Sequence, residues 1–270
     1  MHEKLPQSLE GVSKTLLLPL LVRARESQRN SGVFKDDKAV EIVNNIDADF
    51  SKLVMHRHDE VAVIVRMRKF DRVIQDFLTC TPDGVVIHFG CGLDTRFERI
   101  GFENAEWFDL DVPEVMNLRK KLFITAAPHY HTITASVFET GWLAELELFK
   151  LRPILFAGEG VLPYFDNTQV MELFQRMGNQ FPGCEMVCDA HSPFIIWADN
   201  LHLALAGIQA RLCWKLKNPA DVETWGQDFK LLEAWNYYGD DEPLMAPYRW
   251  LRFIPGLAKS SGIYHYKLGK

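Results

Sequence analysis

From Glu60 to Leu78 the apolar residues Val61, Ile64, Val65, Val73, Ile74 and Phe77 recur at the spacing of one helical face, with charged positions between them. The turn signal Thr81-Pro82-Asp83-Gly84 closes that helix, and the pattern then changes. Short apolar runs follow at 85–89, 106–111, 130–136, 153–158 and 184–189, each of a length suited to a strand. Helical segments lie between them. Pro113 to Phe123 opens with a proline suited to a first helical turn, and Thr168 to Gln180 follows Asp166-Asn167 as a cap. Residues 1 to about 80 read as helical, with polar breaks at Asn30-Ser31-Gly32 and Asn44-Asn45-Ile46-Asp47. Residues 193–226 carry Trp197, Trp214 and Trp225 among Leu, Ala and Ile without a clear strand, and read as a helical cover. The end returns to strand-like pattern at Phe229 to Trp235 and Ile263 to Leu268, which can pair antiparallel through the loop Gly239-Asp240-Asp241-Glu242-Pro243. Alternating strands and helices predict an α/β fold with a doubly wound, mainly parallel sheet. The simplest organisation is one domain over 1–270: an N-terminal helical region (1–80), a cofactor-binding core (84–190), a helical cap (191–228) and a C-terminal strand pair (229–270).

The strand-like run Val85–Phe89 ends abruptly in Gly90-Cys91-Gly92, and a second run ends in Asp109 and Asp111 about twenty positions later. Strand, glycine turn, helix, strand and carboxylate come in the order in which an open α/β fold presents a ribose-containing cofactor. The glycines let the backbone approach the ligand, and the carboxylate accepts hydrogen bonds from ribose hydroxyls. A dinucleotide fingerprint needs a third glycine at position 95, where this chain has Thr95. The tight pyrophosphate seat is therefore not written into the turn.

A net charge of −6 argues against a nucleic-acid partner, whose footprint is usually basic and clustered. No run approaches the eighteen or so apolar residues of a membrane span. Leu16 to Val22 is short, interrupted by Pro19, and reads as the start of a core helix rather than a signal peptide. Five cysteines without a C-x-x-C pair read as reduced, mostly buried thiols of a cytoplasmic protein. His56, His58 and Asp59 look superficially like metal ligands, but alternate residues lie on opposite sides of a helix, so no metal is expected. His129 and His131 read as surface residues, and Cys184 and Cys188 as buried strand residues. Glu159 interrupts an apolar run, where an unpaired carboxylate would be costly, and so expects a ligand or a partner.

Gly90-Cys91-Gly92-Leu93-Asp94-Thr95-Arg96, Trp107-Phe108-Asp109-Leu110-Asp111-Val112-Pro113 and Glu159-Gly160-Val161-Leu162-Pro163-Tyr164 resemble the motifs of the S-adenosylmethionine-dependent carboxyl methyltransferases. That family includes the leucine carboxyl methyltransferase of protein phosphatase 2A and the tetracenomycin-type polyketide O-methyltransferases. Lys14-Thr15-Leu16-Leu17-Leu18-Pro19-Leu20 and Phe34-Lys35-Asp36-Asp37-Lys38-Ala39 look more like the bacterial polyketide-type branch. The resemblance implies a class I, Rossmann-like fold of seven strands and S-adenosylmethionine as cofactor. It implies that Arg66 grips the methionine carboxylate, with Arg68 competing for the role. Gly90 and Gly92 would form the cofactor turn, and Asp111 would bind ribose, with Asp109 on the same strand face. Ser136 and Val137 stand where the family often has Asp-Leu beside the adenine, and Glu159 would lie near the methionine ammonium.

The activity this implies is an O-methyltransferase working by in-line transfer to a small molecule or natural-product intermediate. A carboxylate acceptor, ionised at neutral pH, needs no general base. For a phenolic or enolic hydroxyl, His191 at the end of the fifth strand is the candidate base. Tyr164 and the cap tryptophans either wall the acceptor pocket or pack the core. Two alternatives stay open: a nicotinamide-dependent oxidoreductase, which Thr95 disfavours, and a non-catalytic cofactor-binding protein on the same fold, which the Ser136 departure permits. The sequence leaves the acceptor and the oligomeric state open.

Overall fold

Strand β1 (Val85–Phe89) is buried at every position, as a strand covered on both faces must be, and the sheet is built outward from it. Parallel to it, β2 (Glu106–Asp111) and β3 (Tyr130–Thr134) extend on one side, and β4 (Ile154–Gly158) and β5 (Cys184–His191) on the other. β6 (Lys230–Asn236) forms the far edge, and β7 (Ser261–Leu268) inserts antiparallel between β5 and β6. The resulting order, 3-2-1-4-5-7-6, is the seven-stranded class I, Rossmann-like sheet that the resemblance implied. The chain reverses direction across the sheet between β1 and β4, and the crevice at their carboxyl ends is where such sheets bind ligands. This computed structural model describes residues 5–6, 16–29, 33–48, 50, 53, 55–101, 104–123, 127–205, 210–240 and 242–270. Lys14, Thr15, the Asn30–Gly32 break and Asp241 of the sequence motifs, and residues 206–209 of the cap, lie outside them.

Helices cover both faces. Helix α1 (Leu17–Gln28) packs on α2 (Asp37–Asn45), whose N-cap Asp36 accepts the Ala39 amide at 2.9 Å. Together they bury Leu17, Leu20, Ala39 and Ile42 against Leu93, Leu118 and Leu122 beyond the β1 turn. Helix α3 (Arg57–Cys80) carries Asp59 and Glu60 in its first turn, where carboxylates complement the helix dipole. Its apolar face, Phe70, Val73, Ile74 and Phe77, lies against Val86, Leu155, Ala157 and Val187 of the sheet. Short α4 (Arg96–Ile100) and α5 (Pro113–Leu122) follow β1 and β2. On the opposite face α6 (Asn167–Gln180) starts in a capping box between Asp166 and Gln169 and buries Val170, Leu173, Phe174 and Met177. Among the described residues no helix is long and apolar enough to cross a membrane.

The expected cover over 193–226 is helical only in part. Helix α7 spans Pro193–Leu205, but 210–216 is extended, and a 3-10 turn covers Pro219–Thr224. The Cys213 and Trp214 amides both donate to the Pro163 carbonyl, at 2.7 and 3.2 Å, and the Leu216 amide donates to His191 O at 3.0 Å. Trp214 is fully buried with Phe174 and Trp225 in the main core. Aromatic density without a clear period fits a buried extended segment as well as a helix, and here the backbone partners decide it. The link between the last two strands is also longer than a simple loop, because it contains a 3-10 helix over Pro243–Phe253.

Candidate active site

Gly90 and Gly92 leave β1 with φ of +62° and +52°, a left-handed conformation that strains any residue with a Cβ. A Cβ at Gly90 would in addition lie 2.0 Å from Val161 Cγ2, so the turn after β1 packs directly on the turn after β4. Asp111 closes the other side. Its Oδ2 accepts the Gly92 amide and its Oδ1 the Val112 amide, both at 2.8 Å. Each oxygen retains a lone pair, enough to receive a pair of ribose hydroxyls. Burial raises the Asp111 pKa, against the lowering effect of those two amides.

Thr95 shows what replaced the third glycine. Its hydroxyl donates to Asp36 Oδ2 at 2.6 Å and accepts from Arg23 at 3.1 Å and Arg99 at 2.8 Å. Arg23, 1% exposed, also pairs with Asp36 at 2.7 Å and donates to Leu93 O at 2.7 Å. A position where the dinucleotide fingerprint puts a glycine for close helix packing instead ties the N-terminal helices to the turn after β1.

Asp109 lies deeper than Asp111, with its carboxylate engaged by protein groups. It shares a strand side with Asp111, but two residues of strand rise, about 6.6 Å, sink it below the crevice. Its carboxylate, 1% exposed, is taken by Trp107 Nε1 at 2.9 Å, Tyr130 Oη at 2.6 Å, His88 Nδ1 at 3.2 Å and Arg119. Burial raises its pKa, but Arg119 and His88 more than offset this and bring it to about 2. Asp109 thus fastens β1, β2, β3 and α5 together beneath the site. His88 accepts from Arg96 through Nε2 at 3.0 Å, which places its proton on Nδ1 toward Asp109.

Arg66 projects from α3 to the ends of β4 and β5. Its Nε donates to Glu159 Oε1 at 2.9 Å and its Nη1 to Asp189 Oδ2 at 3.1 Å. Burial alone would lower its pKa, and the Glu159 and Asp189 carboxylates reverse that and raise it. The other oxygen of Glu159 meets Arg96, which is fully buried and also pairs with Asp71 at 2.7 Å and Asp94 at 3.2 Å. The partner that Glu159 demanded is therefore a pair of arginines. Arg68 points elsewhere, half exposed and paired with Glu242 at 3.2 Å.

Ser136 lies half buried just past β3, and its hydroxyl accepts the Phe138 amide at 3.4 Å in a local turn. The Val137 side chain belongs to the main core, and its carbonyl receives Trp142 Nε1 at 3.1 Å. Tyr164 ends the 3-10 turn Leu162–Tyr164 after β4, half buried beside the 210–216 segment. His191 ends β5, with Nδ1 2.9 Å from Ser261 Oγ. Burial pushes its pKa below 6.5, opposed by Asp189 and Asp199. His58 bonds Tyr238 Oη at 3.0 Å and Asp59 at 3.0 Å, and among the described residues no His, Cys, Asp or Glu cluster could hold a metal. His129 and His131 both pair with Glu106 at the partly exposed opposite end of β2. Cys91, Cys184 and Cys188 are buried, Cys213 is half buried and Cys80 is exposed, all as free thiols.

The sequence reading missed Arg96, Asp189 and Tyr237. Arg96 sat in plain view inside the glycine motif. Asp189 carried the same signal as Glu159, a carboxylate at the end of an apolar strand. Tyr237, 6% exposed and electrostatically coupled to Arg66 and Asp189, had no local signal at all.

A profile of the leucine carboxyl methyltransferases matches residues 17–178, more than half of the chain. The tetracenomycin polyketide synthesis O-methyltransferase TcmP of Streptomyces glaucescens is 32% identical over 267 residues, covering 96% of this chain and 97% of TcmP. The S-adenosyl-L-methionine-dependent methyltransferase dpfgK of Gibberella zeae is 26% identical, covering 90% of this chain and 88% of its own. In fold, the chain is similar to a crystal structure of a duf574 family protein from Streptomyces avermitilis, with a TM-score of 0.60 at 9% identity over 93% of this chain and 97% of that one. With the glycine turn, Asp111 and the Arg66–Glu159 pair set at the crevice of a class I sheet, the chain belongs to the leucine carboxyl methyltransferase family of S-adenosylmethionine-dependent enzymes.

Proposed function

We propose that this methyltransferase acts on an oxygen of a small aromatic, polyketide-like acid, with a carboxylate as the acceptor. The observation that carries the reading is the opposed charge pair Arg66–Glu159 at the crevice, beside the Gly90 turn. The methionine end of S-adenosylmethionine is zwitterionic, and a guanidinium beside a carboxylate matches it group for group. Arg66 would hold the carboxylate, Glu159 the ammonium, Gly90 and Gly92 the backbone-side approach, and Asp111 the ribose. Ser136 would border the adenine through its backbone and hydroxyl. When bound, the cofactor supplies a sulfonium-activated methyl group, which an acceptor oxygen takes as the carbon–sulfur bond breaks.

The chain's own task is alignment and exclusion of water. Tyr164 follows β4, His191 ends β5 and the segment 210–216 bonds to both regions, and we assign them to shaping the acceptor space. An ionised carboxylate acceptor asks no proton transfer of them. The likeness to TcmP, along nearly the whole chain, supports an acceptor of polyketide type.

Isothermal titration with S-adenosylhomocysteine tests the donor half: folded protein should bind it, and Asp111→Ala and Gly90→Val should abolish or strongly weaken binding. Absence of binding, or binding indifferent to both changes, overturns it. Methyl transfer from labelled S-adenosylmethionine to matched aromatic acids and phenols tests the acceptor half. Transfer to phenols but not to acids would replace the carboxylate with a hydroxyl.

A further inference from the structure

Asp189 is fully buried at the end of β5, yet none of the three sequence motifs includes it. Its Oδ1 accepts the Gly160 amide at 2.8 Å, and its Oδ2 accepts Arg66 Nη1 at 3.1 Å. Gly160 immediately follows Glu159, has φ +68°, and a Cβ there would lie 3.4 Å from Arg66 Nη2. One carboxylate therefore touches both the turn that presents Glu159 and the guanidinium that Glu159 holds. Of the five N–H groups of Arg66, Nε is committed to Glu159 and one on Nη1 to Asp189. Nη2 makes no hydrogen bond among the described residues, so one defined edge of the fork is left for a ligand.

We propose that Asp189 is a positioning residue that aims this edge of Arg66 at the methionine carboxylate of the cofactor. The proposal rests on the assignment of Arg66 to that carboxylate. Arginine is a long side chain with large rotamer entropy, and a single carboxylate partner does not fix the plane of its fork. Glu159 from β4 and Asp189 from β5 grip it at two different nitrogens, and two grips define the plane. Without Asp189, the guanidinium is free to turn its Nη edge onto Glu159 and away from the ligand. The Gly160 bond adds a second constraint, since it holds the β4 turn at a fixed height beside the same fork.

Charge and positioning predict opposite signs. Asp189→Asn removes a negative charge close to Arg66, so if charge alone mattered, a ligand carboxylate would bind more tightly. If Asp189 positions the fork, the same change weakens binding. Two probes isolate the methionine end: S-adenosylhomocysteine carries it, and 5′-methylthioadenosine keeps the adenosine and sulfur but lacks it. For Asp189→Asn we expect a loss of roughly tenfold or more in S-adenosylhomocysteine affinity, the scale of a hydrogen bond to a charged group, with 5′-methylthioadenosine binding unchanged. In turnover, KM for S-adenosylmethionine should rise while kcat at saturation holds. Asp189→Ser, which keeps an acceptor for the Gly160 amide but retracts from Arg66, gives the same readout should the asparagine variant fail to fold. Unchanged or tighter S-adenosylhomocysteine binding, or equal weakening of both probes, overturns the proposal. Arg66→Met serves as the control: if it leaves the ratio of the two affinities unaltered, the assignment of Arg66 itself fails, independently of Asp189.

Discussion

The crevice at the glycine turn and the core on the α6 side of the sheet are built from different materials. Around the glycine turn the buried charges are matched: Arg23 with Asp36, Arg96 with Asp71, Asp94 and Glu159, Arg99 with Asp71 and Asp94, Arg119 with Asp109. On the α6 side of the sheet the contacts are rings, with Phe138 on Phe165 at 4.1 Å, Trp225 on Phe174 at 5.5 Å and Trp214 on Trp225 at 6.5 Å between centroids. Charge networks are directional and fail when one member is moved, so they suit a seat for one fixed cofactor. Apolar cores accept volume-conserving changes at a cost usually under about 1.5 kcal/mol, so they tolerate changes that a charge network does not. The charged seat is locked and the ring-packed core is adjustable.

The strongest way to break this comparison is to remove one ion from the locked side. Arg96 has no exposure and serves three carboxylates, so Arg96→Met leaves Asp71, Asp94 and Glu159 without it. Breaking a buried pair from one side costs about 3–5 kcal/mol, and chemical denaturation should show a loss of that order. A loss below about 1 kcal/mol would mean that the network is solvated and the seat is not locked. Next in size is Gly90→Ala. The left-handed backbone costs a residue with a Cβ about 1–2 kcal/mol, and displacing Val161 from a contact of 2.0 Å adds to it. The variant should melt lower and lose most S-adenosylhomocysteine affinity, because the turn must shift to relieve both.

The locked side was also the legible side. Gly90, Gly92 and Asp111 are read from local spacing, because a turn and a strand end are short-range features. The sheet itself was legible for a similar reason, since each apolar run from β1 to β5 is bounded by its own turn signals. The depth of Asp109 was not legible, because period two gives the side of a strand but not the position along it. Thr95 showed only that a glycine was missing, while its bonds to Arg23 and Asp36 arise from helices some sixty or more residues away in sequence. Asp189 and Tyr237 reach Arg66 from β5 and from beyond β6, and no local pattern encodes such a meeting. The 210–216 segment was misread because apolar density reports burial, whereas its extended form comes from bonds to Pro163 and His191.

His191 stands on the boundary between the two sides, and its substitution sharpens where that boundary falls. With a carboxylate acceptor, His191→Gln should lower kcat by less than tenfold, since general base catalysis typically contributes about 10²–10⁴ and none is needed. A loss of a hundredfold or more would make the acceptor a hydroxyl. Stability gives a second readout. Burial depresses the folded-state pKa of His191 below 6.5, so its neutral form contributes stability that is complete above that pH and is lost as pH falls through the depressed value. The advantage of the parent over His191→Gln in thermal melting should therefore shrink between pH 7 and 5. A constant difference would mean that the imidazole does not change charge on unfolding.

The smallest expected effect comes from the adjustable side. Trp225 packs edge-on to Phe174, and its carbonyl, rather than its indole, receives Gln175 Nε2 at 2.6 Å. Trp225→Phe therefore keeps the backbone bond and an aromatic face while losing one ring, and the cost should be about 1 kcal/mol. S-adenosylhomocysteine affinity should stay within about twofold, because lost packing on α6 has no ionic route to Arg66 or Asp111. Calorimetric titration beside a melting curve reads both quantities from one preparation. A tenfold loss of cofactor affinity with only a small drop in stability would show that the ring-packed core helps set the charged seat, and that the two regions are one mechanical unit.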